Sequence, residues 1–199
     1  DPESLLVYSP SHFTWMDTNY PAGTPREGYP VEIQVFWIKA LNILHKYTKQ
    51  DRWKELADKA LASFIQYFWD EQRGFLSDCL HCKTYHPAAQ SPADDALRSN
   101  QLFAITLDVI QDIEMQKAIF ESSSCLLIPG AIRSLADRKN EFPLPVYSNY
   151  GELLNKPENP YFHHYEGDED TRRKPAYHNG TAWNWPFPSY PEAMLKIYG

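Results

Sequence analysis

Between Phe13 and Gln34 the chain reads FTWMDTNYPAGTPREGYPVEIQ, which gathers Trp15, Asp17, Arg26, Glu32 and Gln34 into one short stretch. A carboxyl group against aromatic rings is desolvated, and desolvation raises its pKa. Asp17, with Trp15, Tyr20 and Tyr29 nearby, is therefore suited to hand a proton to a leaving oxygen. The competing reading makes Asp17 a turn former, because Pro21, Gly23, Pro25, Gly28 and Pro30 break regular structure throughout the segment. Glu32 also has two readings: it holds a pair of ligand hydroxyls, or it favours the positive end of the helix that starts after Pro30. Gln34 falls in the same first turn.

A second concentration of chemistry is YHNGTAWNW, Tyr177 to Trp185. Tyr177, His178, Asn179, Trp183 and Trp185 supply donors, acceptors and stacking faces, and Gly180 would let the backbone approach a ligand closely. Upstream, the acidic run Glu166 to Asp170 meets Arg172, Arg173 and Lys174, which reads as a solvated charged face; the spacing is not that of a calcium loop. Cys79, His81 and Cys82, with His86 beyond, invite a zinc reading. No second Cys pair follows, so a fourth ligand would have to come from Cys125 or a distant His. A serine hydrolase is disfavoured, because there is no Gly-x-Ser-x-Gly elbow.

These side chains need elements to position them. Val31, Val35, Ile38, Leu41 and Leu44 recur at steps of three and four, predicting a helix over about 31–48 with one buried face. The same template runs from Trp53 to Phe68, with Asp51 as its N-cap and Gly74 just past its end. A few residues separate the two, so they should form an antiparallel hairpin. Further helices are predicted over about 99–110 and 112–126, as a second hairpin, and a short one over 191–197. Residues 71–97 and 140–185 read as long loops, and strand alternation is confined to short runs such as Phe75 to Leu80. The pattern is all-α, with the loops gathered at one end.

Composition sets the outer limits. A chain of 199 residues that is 43% hydrophobic and 23% charged is one globular domain with a real core. A net charge of -7 argues against nucleic acid, whose interface needs a basic footprint, and leaves neutral or cationic ligands. No apolar run approaches the roughly 18 residues of a membrane span. No cofactor is indicated, and three cysteines in no paired framework favour the cytoplasm. An aromatic content of 15%, much of it in loops, suits sugar-binding clefts, where an apolar ring lies under a pyranose face.

Five ordered segments then carry a resemblance: FTWMD at 13–17, TPREG at 24–28, VEIQVFW at 31–37, LRSNQLFAI at 97–105 and YHNGTAWNW at 177–185. Together they resemble the C-terminal amylo-α-1,6-glucosidase domain of glycogen debranching enzymes, from about Ser9 to the end. The resemblance implies an (α/α)6 toroid of six helical hairpins that hydrolyses α-1,6-linked glucose from an α-glucan with inversion. Asp17 matches the proposed general acid. Arg26, Glu32, Gln34, Asn100, His178 and Trp183 match positions expected to line the sugar subsite, joined by Trp15, Gln101, Tyr177, Asn179 and Trp185 from the same motifs. The chain departs from the family pattern at Arg98-Ser99-Asn100-Gln101 and at WNWPFPSY, which we take as subfamily variation. The family's general-base Glu belongs to a motif downstream of YHNGT that has no counterpart here. The expectation is therefore a partial domain over 1–199, cut at both ends and inactive alone, whose exposed apolar helix faces drive self-association or meet the rest of the barrel. The rival expectation is a non-catalytic carbohydrate-binding or scaffold module.

Overall fold

A computed structural model describes residues 1–18, 24–83, 86–148 and 150–199. Its spine is the pair α1 (Val31–Thr48) and α2 (Asp51–Phe68), packed as the predicted hairpin. Only Lys49 and Gln50 separate them. Lys49 adopts the left-handed conformation (φ 57°), and its N–H returns to the His45 carbonyl, closing the last turn of α1. Asp51 is not the cap of α2: Gln50 occupies that position without a side-chain bond, and Asp51 sits inside the first turn. There its carboxylate still meets the positive end of the helix.

Strands correct the all-α expectation. β1 (Gly28–Pro30) pairs antiparallel with β4 (Cys79–His81), β2 (Trp69–Asp70) with β3 (Phe75–Leu76), and β5 (Leu127–Ile128), β6 (Ala131–Arg133) and β7 (Ala182–Trp183) form a third small sheet. Each strand has two or three residues, too few for a period of two to show in the sequence. Gly74, expected to end α2, instead turns the β2–β3 hairpin at φ 71°.

These sheets place the two motif-bearing loops. Ser9 and Gly28 exchange backbone hydrogen bonds of 2.7 and 3.0 Å, so the loop carrying Asp17 is tied at its neck. Gly28 has φ 130°, and a Cβ there would lie 2.0 Å from the Leu80 carbonyl oxygen, so only glycine allows β1 and β4 to meet. At the other end of the chain, β7 pairs with β6, and Ser134 N–H donates to the Thr181 carbonyl, fixing the Tyr177–Trp185 segment.

The second predicted hairpin does not form. Ser99–Leu102 is a 3-10 turn, α3 (Phe103–Thr106) is a single turn, and Asp108 turns left-handed (φ 57°), ending the helix before Ile110. α4 (Ile113–Ser123) starts on Asp112, whose carboxylate accepts from Met115 N–H at 2.8 Å, and it packs on α6 (Ser189–Tyr198). The core runs between α1, α2 and these pieces, through Val35, Ile38, Phe64, Phe68, Leu102, Ile105 and Ile119. The charged run near 166–174 is a mostly exposed face: Asp168 caps Thr171, and Lys174 pairs with Asp170 across one turn that leads into α5 (Lys174–Tyr177). Among the described residues no helix is long and apolar enough to cross a membrane.

Candidate active site

The site is built on a buried charge network. Arg26, buried and left-handed at φ 45°, directs its guanidinium between Glu32 at the start of α1 and Asp78 just before β4. Its Nη1 and Nη2 donate to the two Glu32 oxygens at 2.6 and 2.5 Å, and its Nε donates to Asp78 Oδ2 at 2.7 Å. Nη1 also reaches Thr14 Oγ1 at 3.1 Å, and Nη2 reaches Asp78 Oδ1 at 3.1 Å. All five N–H donors are used. Burial alone would weaken the Arg26 proton, but Asp78 and Glu32 more than reverse this, so its pKa stands well above that of free arginine. Burial pushes the Asp78 carboxyl up, against the pull of Arg26 and Arg98. Burial lowers Arg98. Two cations and two anions thus meet in a buried cluster.

From Asp78 the network reaches both aromatic segments. Asn100 donates from Nδ2 to Asp78 Oδ1 at 2.8 Å, and its Oδ1 accepts from Trp15 Nε1 at 2.8 Å. Arg98 lies 3.3 Å from Asp78 Oδ2 through Nε, donates to the carbonyls of Ser134 and His178, and reaches Asn179 Oδ1 at 2.8 Å. The two loops therefore converge. Trp15 stands edge-on to His178 at 5.0 Å and to Trp185 at 4.8 Å, while Tyr177 packs on His178 and Trp183.

His178 is buried, and both its ring nitrogens lack a hydrogen-bond partner among the described residues. Burial, reinforced by Arg98 and Arg26, lowers its pKa to about 3, so it is a neutral imidazole. Asp17 is exposed, which corrects the expectation of a carboxyl desolvated by its aromatic neighbours. Tyr20, one of those neighbours, lies outside the described residues.

Other predicted residues turn inward. Glu32 has both oxygens on Arg26. Gln34 clamps Val7, accepting from its N–H at 2.8 Å and donating to its carbonyl at 2.9 Å. Gln101 accepts from Leu76 N–H and donates to Ser123 Oγ, locking β3 to α4. These amides fix the scaffold. Gly180 does admit a close backbone, but it is that of Phe162, whose carbonyl oxygen would lie 2.6 Å from an added Cβ. The zinc set disperses: Cys79 Sγ faces the Arg26 carbonyl at 3.6 Å and His81 Nε2 lies 2.7 Å from Asp94. Among the described residues no three metal-binding side chains converge.

Sequence reasoning missed Asp78 and the linking role of Arg98. The available signal was charge balance: two arginines in apolar, motif-bearing segments need a second anion besides Glu32. No match was found among curated proteins. The family model described as amylo-alpha-1,6-glucosidase, a glycosidase family, matches residues 1–199, so the chain belongs to that family.

Proposed function

We propose that this chain carries the acid half of an α-1,6-glucosidase site acting at the branch points of glycogen-type α-glucans. Asp17 protonates the glycosidic oxygen as the C–O bond breaks, while a second carboxylate removes a proton from water attacking the opposite face, inverting the anomeric carbon. The observation that carries this reading is the meeting of two aromatic segments over Trp15, beside the exposed Asp17 and the unpartnered His178. Rings supply the sugar platform and Asp17 a proton at the mouth, with His178 packed edge-on behind Trp15. The α1–α2 pair serves as one hairpin of a six-hairpin toroid. The free thiols of Cys79, Cys82 and Cys125 suit a reducing cytoplasm.

The general-base Glu that the resemblance requires has no counterpart in residues 1–199, so these residues alone are inactive. Exposed apolar side chains of α1 meet further helices of the barrel or a second copy of the chain. The test uses the intact enzyme and a branched dextrin, with proton NMR of the first glucose released. The β-anomer is expected. Initial release of the α-anomer, or release of glucose by residues 1–199 alone, contradicts the reading.

A further inference from the structure

The three residues ahead of Asp17 are each anchored to the buried charge network. Thr14 Oγ1 accepts from Arg26 Nη1 and from the Met16 backbone N–H, both at 3.1 Å. Trp15 Nε1 donates to Asn100 Oδ1 at 2.8 Å, and the fully buried Met16 accepts on Sδ from Asn100 Nδ2 at 3.3 Å. Asn100 thus grips two consecutive side chains. The next residue along the chain is Asp17, which is exposed.

The Asn100 amide has one orientation that works. Both Asp78 oxygens already accept from Arg26, so towards Asn100 this carboxylate presents an acceptor, met by Nδ2 at 2.8 Å. Trp15 Nε1 can only donate, so it requires Oδ1. Turning the amide over would set oxygen against carboxylate and N–H against N–H. Asp78 therefore fixes the amide, and the amide fixes Trp15 and Met16. Edge-on contacts with His178 and Trp185 keep the Trp15 ring in the aromatic cluster, but the directional bond to Asn100 sets its rotation. Asn100 itself lies in the turn Ser99–Leu102 with both amide hydrogens and its oxygen engaged inside the protein. With 1% of its surface exposed, it offers a sugar hydroxyl neither a donor nor an open face.

We propose that Asn100 is a positioning residue for the acid: oriented by Asp78, it holds the Trp15-Met16 segment so that Asp17 comes within hydrogen-bond reach of the glycosidic oxygen it protonates. The proposal rests on the glucosidase reading above, in which Asp17 is the general acid. Proton transfer to a leaving oxygen depends on that reach, so a carboxyl group displaced by ~1 Å loses roughly a hundredfold in rate while the groups that bind the sugar are unchanged.

The test is Asn100→Leu in the intact enzyme, close in size but without donor or acceptor, assayed on an α-1,6-linked branch substrate and on α-glucosyl fluoride, which departs with little help from an acid. On the branch substrate kcat should fall by roughly 10- to 100-fold at unchanged KM, while kcat on the fluoride should fall by less than about threefold. Loss of folded enzyme lowers both turnovers alike, so their ratio reports the placement of the acid and not stability. Thr14→Val keeps the side-chain volume and removes the acceptor of the Met16 N–H. It should shift the ratio in the same direction, and it decides the question if Asn100→Leu fails to fold. Equal losses on both substrates, a rise in KM on both, or an unchanged ratio overturn the proposal. Asp17→Asn on the same two substrates separates it from the reading beneath. If Asp17→Asn spares the fluoride and Asn100→Leu does not, the acid assignment stands and only the role of Asn100 falls. If Asp17→Asn loses both activities equally, the acid assignment falls and the positioning of Asp17 falls with it.

Discussion

At the scale of single residues, His178 and Asp78 make opposite demands on their surroundings. His178 binds a proton below pH ~6.5 when unfolded but only near pH 3 when folded. Between those values the unfolded chain holds more protons, so stability is complete above pH ~6.5 and falls on acidification toward pH 3, by up to about 1.4 kcal/mol per pH unit for one such group. His178→Phe should flatten this slope; urea denaturation at pH 6.5, 5.5 and 4.5 measures it, and an unchanged slope would place the titration elsewhere. Asp78 is kept by its partners. Asp78→Ala leaves Arg26 and Arg98 short of an anion in a buried site and should cost about 3–5 kcal/mol of stability. Removing the exposed Lys54–Asp58 pair by Asp58→Ala should cost less than about 1 kcal/mol. Equal losses in the two variants would mean that the network is not what holds the loops. Sequence reading found Arg26 and Glu32 as expected sugar-subsite positions, with the positive end of the helix as the other reading of Glu32. Their mutual pairing is a contact that no spacing rule expresses.

At the scale of elements, α1 carries apolar residues on two sides. Val35, Ile38 and Leu41 are buried, while Phe36, Ile43, Leu44 and Tyr47 follow helical spacing on an exposed stripe. A helix apolar on both sides is built to be covered on both, so replacing Ile43 and Tyr47 with Glu should reduce concentration-dependent sedimentation without lowering thermal stability. A monomer before the substitutions would remove the basis of that expectation. α1, α2, α4 and α6 were legible because their apolar period is sustained and their neighbours agree with it. The helix expected over 99–110 was not. LFAITLDVI is apolar throughout, so periodicity gives no end point, and the break at Asp108 is anchored by Lys39 and Lys196 from far along the chain. The small strands escaped for the same reason: β1 and β4 are set by each other, fifty residues apart in sequence, and by a glycine that only their close approach requires.

At the scale of the whole molecule, the long loops that looked independent in sequence are brought to one place by four buried charges, and what they carry there is aromatic and neutral except for Asp17. The central claim is that Asp17 supplies the proton. The most direct measurement compares wild type and Asp17→Asn of the intact enzyme on an α-1,6-linked branch substrate and on α-glucosyl fluoride, whose leaving group needs little protonation. Turnover of the branch substrate should fall by about 10² to 10⁴, the usual worth of general acid catalysis, while much of the activity on the fluoride survives. Equal loss on both substrates would contradict the assignment and pass the acid role to another carboxylate.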